Sequence, residues 1–170
     1  MDLAYAIAQL ERNKDVIYAL MNGCTDAEYD WKATPMRWNL LEIICHLYDE
    51  EREDFRTRFI NVVETPDNRP PSFDPVAWVT ERAYASQNFE EKLAEFLLER
   101  DKSIDLLKNL ENPNLSQGYD YAAYGHVDGL FFLTNWLAHD YLHIKQIVRI
   151  KYDYAAQLAE RDISYAGTWT

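Results

Sequence analysis

Cysteine, glycine and proline are all scarce in this chain of 170 residues, which has 2 Cys, 5 Gly and 6 Pro. Two cysteines, Cys24 and Cys45, without a Cys-x-x-Cys pair exclude a disulfide scaffold and are typical of a reducing compartment. Few helix breakers, together with 48% hydrophobic and 14% aromatic residues, exclude global disorder. We therefore expect residues 1–170 to form one packed domain.

Basic residues and long apolar runs are scarce as well. The chain has 17 Lys and Arg against 29 Asp and Glu, and its net charge of -12 argues against a nucleic-acid partner. No apolar run approaches the roughly 18 residues of a membrane span. The first residues include Asp2 and no basic region, so they do not resemble a secretory signal. We expect a cytoplasmic protein that binds neither nucleic acid nor membranes.

Apolar residues recur at helical spacing in four long segments of the chain. Asn39 and Asn88 are each followed three residues later by Glu, a pattern typical of a capped helix start, and Asp128 is a third candidate cap. Residues 112–127 are expected to be irregular, and no strand is predicted. The predicted helices cover residues 2–21, 39–63, 88 to just before Pro113, and 128–152.

The connection between the second and third helices is long. Residues 65–87 are rich in proline, and Asp74 followed by Pro75 predicts a short helix over residues 76–83. A connection of this length can span a bundle, so helices two and three can run parallel. We therefore predict an all-α fold, a four-helix bundle with a long crossover between helices two and three.

Three of the four histidines fall on predicted long helices. His139 and His143 are four residues apart, so both lie on one face of helix four and can bind one metal ion. His46 on helix two is the third candidate ligand. A structural role for these histidines stays open at this point, because a single buried histidine is more often part of a core. His126 precedes helix four and is interpreted as a residue of a loop or a site rim.

Two better-known metal motifs do not fit the spacing. In the HExxH motif of zinc proteases the second residue is the general base, but here Asp140 lies off the histidine face and no further His follows. Di-iron carboxylate bundles need Glu-x-x-His on two helices. Ile43 and Trp136 occupy the positions three before His46 and His139, so we disfavour both motifs.

Several carboxylates accompany the histidines. Glu50 lies one turn after His46 on the same face, and it is a candidate general base or fourth ligand, with a solvated helix carboxylate as the alternative. Glu42 and Glu53 lie on the polar side of the same helix. Asp140 could orient a ligand histidine, or it could be an exposed helix residue.

Two charged residues interrupt apolar stripes. Arg100 lies within the stripe of helix three, and Glu51 lies on the apolar side of helix two. We expect a buried ion pair between Glu51 and Arg100 that specifies the register of the bundle more than it stabilises the fold.

The ordered set of motifs resembles the DinB-like, or YfiT-like, superfamily. Residues 38–51 read WNLLEIICHLYDEE and resemble the family signature W-(S/N)-x-x-E-x-x-x-H-L-x-D-x-E. Residues 138–147 read AHDYLHIKQI and resemble the closing H-D-x-x-H-x-x-Q-I helix. Asp74-Pro75-x-x-Trp78, Arg100 and Gly125-x-x-x-x-Leu130 also follow in the family's order, so the resemblance covers roughly residues 3–152.

The resemblance implies a site and a range of activities. It implies one divalent metal ion, nickel, zinc or iron, bound by His46, His139 and His143, in a bundle that is commonly a homodimer. Family members include bacillithiol- or mycothiol-dependent S-transferases and isomerases. The leading hypothesis is a metal-dependent enzyme acting on a small molecule, such as a low-molecular-weight-thiol S-transferase. A metal-dependent hydrolase and a non-catalytic, stress-associated metal-binding bundle are the alternatives.

Overall fold

The computed structural model describes residues 1–72, 74–167 and 169. Its longer elements are helices, joined by short helical turns and one small hairpin. In chain order they are α1 (Leu3–Met21), α2 (Asp26–Tyr29), α3 (Leu40–Glu50), a π-helical turn (Glu51–Phe55), α4 (Arg56–Glu64), α5 (Trp78–Glu81), a 3-10 turn (Tyr84–Ser86), α6 (Phe89–Lys108), β1 (Gly118–Tyr121), β2 (Gly125–Asp128), α7 (Gly129–Ala159) and a second 3-10 turn (Ser164–Ala166).

The predicted helix starts are confirmed by side-chain hydrogen bonds to the first turn. Asn39 Oδ1 accepts from the Glu42 amide at 2.8 Å, and Glu42 Oε2 accepts from the Asn39 amide at 3.0 Å, which completes a capping box. Asn88 accepts from the amide of Glu91, and Asp128 from that of Phe131. These caps satisfy amides that have no partner inside the helix.

Three of the predicted helices differ from the structure. The second is helical from Leu40 to Glu64, but its residues Glu51–Phe55 form a π-helical turn. The third, α6, ends at Lys108 rather than just before Pro113. The fourth, α7, continues to Ala159 rather than ending near residue 152. No helix in the described part of the chain, α7 included, is both long and apolar enough to cross a membrane.

The four long helices pack with α3–α4 parallel to α6, as the crossover predicts. The ammonium of Lys92 lies over the ring of Tyr48, and further along both helices Arg56 pairs with Glu99. Residues further along α3–α4 therefore contact residues further along α6, so the two helices run in the same direction. By contrast, α1 runs antiparallel to α6, since Lys14 pairs with Asp101 and Glu11 with Lys108. This is a four-helix bundle with one long crossover, which carries α5 and the first 3-10 turn.

The expectation that residues 112–127 are irregular is wrong, because β1 and β2 form an antiparallel hairpin there. Each strand has only four residues, too few for an alternating pattern to be recognised. A Cβ at Gly118 would lie 2.0 Å from the carbonyl oxygen of Val127, so the paired strands need glycine at this position. Gly125, with φ +74°, closes the turn.

A polar layer crosses the middle of the bundle and divides its core into two apolar clusters. One cluster includes Ile17 and Ile147, and the other includes Leu10 and Leu137. The residues between them are buried but charged or polar, and every long helix contributes at least one: Asn13, His46, Glu50, Glu51, Arg100, Asp140 and His143. Buried polar groups of this kind need partners, and the layer is where the candidate site lies.

Candidate metal centre

The imidazoles of His46, His139 and His143 converge at one end of the polar layer. Nε2 of His139 lies 3.2 Å from Nε2 of His46 and 3.1 Å from Nε2 of His143. One ligand nitrogen from each ring lies within 4.8 Å of the other two. Two nitrogens bound to the same ion at about 2.1 Å, at tetrahedral to octahedral angles, are about 3.0 to 3.4 Å apart. The spacing of the three nitrogens therefore fits a shared divalent ion.

Two helices supply these ligands. His139 and His143 stack one turn apart on α7, and His46 faces them from α3. His46 and His143 are buried, with 5% and 8% of their surface exposed, and the side chain of His139 is 19% exposed. The site is thus enclosed on most sides, with an opening at His139.

Burial keeps the three imidazoles neutral. Desolvation, with a smaller contribution from neighbouring histidines, lowers the pKa of His46 to about 3 and that of His139 to about 2. Desolvation also lowers the pKa of His143, against the opposing effect of the nearby Gln146 side chain. A neutral imidazole has the free lone pair that a metal ligand needs.

Two aromatic side chains form walls beside the histidines. The ring of Trp38 lies 4.8 Å from that of His46 and is nearly parallel to His143 at 6.4 Å. The ring of Phe55 lies 4.9 Å from that of His139. On a regular α-helix, Phe55 would be about 180° from His46, so a helical wheel does not predict it in the site. The π-helical turn rotates Phe55 toward the site, and such turns are frequent at functional sites.

Glu50 lies at the open edge of the cluster. Its Oε2 is 3.7 Å from Nε2 of His139, and its side chain is hydrogen-bonded to Asp54, which in turn pairs with Arg58. Burial raises the pKa of Glu50, and the negative charge of Asp54 raises it further. Glu50 is buried, with only 5% exposed, so the alternative of a solvated helix carboxylate does not describe it. The carboxyl group can hold or accept a proton beside the imidazoles.

The other carboxylates and His126 lie elsewhere. Glu42 serves the capping box and pairs with Lys32 at 2.6 Å, while Glu53 accepts two hydrogen bonds from Arg82. His126 lies on exposed β2, with Nδ1 3.3 Å from Asp120 Oδ1. Among the expected carboxylates on the polar side of the second helix, Glu50 is the one that approaches the histidines.

A buried ion cluster supports the site from within the bundle. Arg100 Nη2 lies 2.9 Å from Oε2 of Glu51, which also accepts from the indole N–H of Trp136 at 2.9 Å. The guanidinium also donates to both oxygens of Asp140, and Asn13 donates to the same carboxylate. The structure therefore brings Glu51 and Arg100 into contact, and Asp140 joins them.

The contacts of Asp140 differ from both expectations for it. The residue is fully buried, and among the described residues its hydrogen-bond partners are Arg100 and Asn13 rather than an imidazole. Its charge still acts on the site, because it raises the pKa of His143. The sequence contains no local signal for this arrangement, since the partners come from α1 and α6.

Two cavities flank the histidines. The first, of about 410 Å³, is bordered by Trp38, Gln146, Arg37 and Arg149, and we call it the Trp38 cavity. The second, of about 420 Å³, lies on the Phe55 side against the hairpin, and we call it the tyrosine cavity because Tyr119, Tyr121 and Tyr124 line it. Both volumes are in the range of small-molecule sites.

The comparisons with known proteins agree with this architecture. Residues 9–147 match the family model of the DinB superfamily. Among solved structures, the fold is similar to that of YfiT from Bacillus subtilis, with a TM-score of 0.78 at 17% identity, over 90% of this chain and 87% of that chain. YfiT is described as a probable metal-dependent hydrolase with an unusual four-helix bundle topology. No curated protein matches the chain.

Proposed function

Since this chain belongs to the DinB superfamily, we propose that it binds one divalent metal ion through His46, His139 and His143 and hydrolyses a small-molecule substrate. The observation that carries the proposal is that Nε2 of His139 lies 3.2 Å from Nε2 of His46 and 3.1 Å from Nε2 of His143, with one nitrogen of each ring within 4.8 Å of the others. The fold shared with YfiT, whose description names metal-dependent hydrolysis, supports the reaction class.

The donor set suits an ion that takes part in chemistry. Three neutral imidazoles leave the ion its full positive charge and leave coordination positions open, unlike the four protein ligands of a closed structural site. Imidazole ligands suit nickel, zinc and iron, and we propose one of these as the native metal. When bound, the ion would lower the pKa of a coordinated water or thiol.

The chain's own residues would then move the proton and exclude solvent. Glu50 would accept the proton of the attacking water, since its carboxylate lies 3.7 Å from His139 and is held by Asp54. Trp38 and Phe55 would exclude bulk water from two sides, because their rings contact the imidazoles. Asp140 and Arg100 would keep α7 and α6 in register without touching the substrate.

A low-molecular-weight-thiol S-transferase is the second candidate, and the Trp38 cavity favours it. Trp38, a lining residue, has its ring nearly parallel to that of His143 at 6.4 Å, so the cavity lies beside the proposed ligands. Arg149 is paired with Asp153, while the exposed Arg37 would face an anionic group in the cavity. A thiol with carboxylates, of the bacillithiol type, has the charge to bind there.

The experiment measures metal content and two activities on the purified protein. Hydrolysis of 4-nitrophenyl acetate, with and without a chelator, tests the hydrolase. Conjugation of 1-chloro-2,4-dinitrobenzene with bacillithiol, cysteine and glutathione tests the transferase. We expect about one divalent ion per chain, and hydrolysis that is lost with chelator and in His46→Ala. Thiol-dependent conjugation without hydrolysis would favour the transferase, and bound metal without either activity would favour the non-catalytic bundle.

A further inference from the structure

We propose that the tyrosine cavity binds an aromatic ring of a neutral substrate and so holds that substrate next to the metal centre, on the Phe55 side. The proposal rests on the proposed function for the chemistry, but the binding of the ring does not need the metal ion. Four elements build the cavity: the π-helical turn, α4, the β1–β2 hairpin and the start of α7.

Six of the twelve residues that line the cavity are aromatic. The rings of Tyr121 and Tyr124 are stacked at 5.8 Å, Tyr124 lies 5.7 Å from Phe131, and Phe131 meets Phe132 edge-on at 5.3 Å. Phe55 closes the inner end of the cavity. Aromatic rings prefer such stacked and edge-on contacts, so this wall presents favourable partners to another ring.

The inner end of the cavity is also a wall of the metal centre. Phe55 lines the cavity and its ring lies 4.9 Å from that of His139. Asp54 lines the cavity and is hydrogen-bonded to Glu50, the proposed base. Asn135, another lining residue, lies one turn before His139 on α7. A molecule in the cavity would therefore lie against the Phe55 ring that also contacts His139, next to the metal centre.

The charges at the cavity favour a neutral occupant. Asp54 and Arg58 both line it, and they form an ion pair with each other. Arg58 also donates to the carbonyl oxygen of Pro71 at 3.2 Å. Since each charge already has a partner, a charged ligand would have to break the pair, whereas a neutral ring would not.

The hairpin tyrosines are more exposed than such rings usually are. Tyr124 is 69% exposed and Tyr121 45% exposed, although the two rings stack on each other beside a concave surface. A cluster of exposed aromatic rings bordering a cavity is typical of a binding site. A volume of about 420 Å³ accommodates a ligand with one to three rings.

The test uses the neutral fluorescent probe N-phenyl-1-naphthylamine, titrated against the full-length protein. Asn135→Trp would fill the cavity and should weaken binding by more than about tenfold. Tyr124→Ala should weaken binding by about two- to tenfold, the worth of one aromatic contact. Thr134→Trp, one residue away on the exposed surface of α7, is the matched control and should bind the probe as the native chain does.

The metal-site variant separates this proposal from the proposed function. His143→Ala should lose the ion but bind the probe with unchanged affinity. If Asn135→Trp bound the probe as well as the native chain, or if Thr134→Trp lost binding equally, the ring site would be refuted even with the metal in place.

A second readout is the preference for phenyl acetate over methyl acetate, measured as the ratio of their hydrolysis rates. Asn135→Trp should reduce this preference without changing metal content. A preference that stays the same in Asn135→Trp would overturn the proposed placement.

Discussion

Arg100 and Asp140 form a two-pronged ion pair in the centre of the bundle, with Nη1 to Oδ2 and Nη2 to Oδ1 both at 2.8 Å. Asp140 directly follows His139, and Glu51, the other partner of Arg100, directly follows Glu50. The guanidinium of Arg100 on α6 therefore binds a residue next to the candidate site on each of the two helices that carry it. The register of the metal centre depends on a residue that does not contact any of its imidazoles.

Replacing this cation should destabilise the fold. Arg100→Met would leave the carboxylates of Glu51 and Asp140 buried without their partner, and we expect a loss of about 3 to 5 kcal/mol in the free energy of unfolding. Urea denaturation measures it. Lys102→Met on the same helix, whose side chain is 54% exposed, is the control and should change stability by less than about 0.5 kcal/mol. If Arg100→Met kept its fold and metal but lost turnover, a purely structural role would be wrong.

Metal content should depend on each clustered histidine. We expect His143→Ala to reduce the bound divalent metal from about one ion per chain to almost none, since two imidazoles bind an ion much more weakly than three. Elemental analysis after dialysis measures the content. His126→Ala, which removes the exposed histidine of β2, should keep the native value. Equal content in native chain and His143→Ala would remove the metal centre.

Glu50→Gln distinguishes a base from a fourth ligand. As a general base, Glu50 should contribute about 10²- to 10⁴-fold to turnover, and the variant should keep its metal because the amide replaces only the proton acceptor. The assay is hydrolysis of 4-nitrophenyl acetate alongside metal analysis. Glu64→Gln, at the exposed end of α4, should match the native chain in both. Loss of the ion in Glu50→Gln would instead assign Glu50 as a ligand.

The metal-free protein should lose stability in mild acid. Unfolded histidines have a pKa near 6.5, whereas burial lowers the pKa of His46 to about 3 and that of His139 to about 2. Below pH 6.5 the unfolded chain therefore binds more protons, and the free energy of unfolding should fall by up to about 1.4 kcal/mol per pH unit for each histidine. The slope fades as the pH rises above 6.5, because the unfolded histidines then lose their protons as well.

Glu50 has the opposite effect on the pH dependence of stability, so the histidine slope is measured in a variant that lacks this carboxyl group. Its pKa is raised in the folded state, so its contribution is fully present at low pH and is lost as the pH rises through that raised pKa. Urea denaturation of metal-free Glu50→Gln between pH 7 and pH 5 should therefore show the full histidine slope. Adding His46→Gln and His139→Gln should reduce the slope to the contribution of His143, whose pKa is also lowered by burial. A slope that persisted unchanged would contradict the assignment.

Much of the bundle could be predicted because its signals are local. Helix periodicity and the caps at Asn39, Asn88 and Asp128 depend on residues within a few positions of each other. The pairing of His139 with His143 is a one-turn relationship on a single helix and is equally local. His46 could be proposed as the third ligand because it is the one other histidine on a predicted long helix.

The hairpin, the π-helical turn and the partners of Asp140 could not be predicted, and the reason is physical. Four-residue strands have too little periodicity to identify, and they form because Gly118 lets the strands approach and Val127 packs in the core. The π-helical turn changes the rotation per residue, which moves Phe55 to a face that a regular wheel does not assign to it. The π-helical turn determines that Phe55 borders His139, and the hairpin determines that tyrosines line the neighbouring cavity.

The sequence by itself determined the four long helices, their caps, and the pairing of His139 with His143 on one helix face, because each is set by neighbours along the chain. Only the tertiary structure decided that Asp140 binds Arg100, that Glu50 is buried beside His139, and that aromatic rings from the hairpin line a cavity next to the site. These are contacts between residues far apart in sequence. Their geometry follows from how the helices pack, which no local pattern encodes.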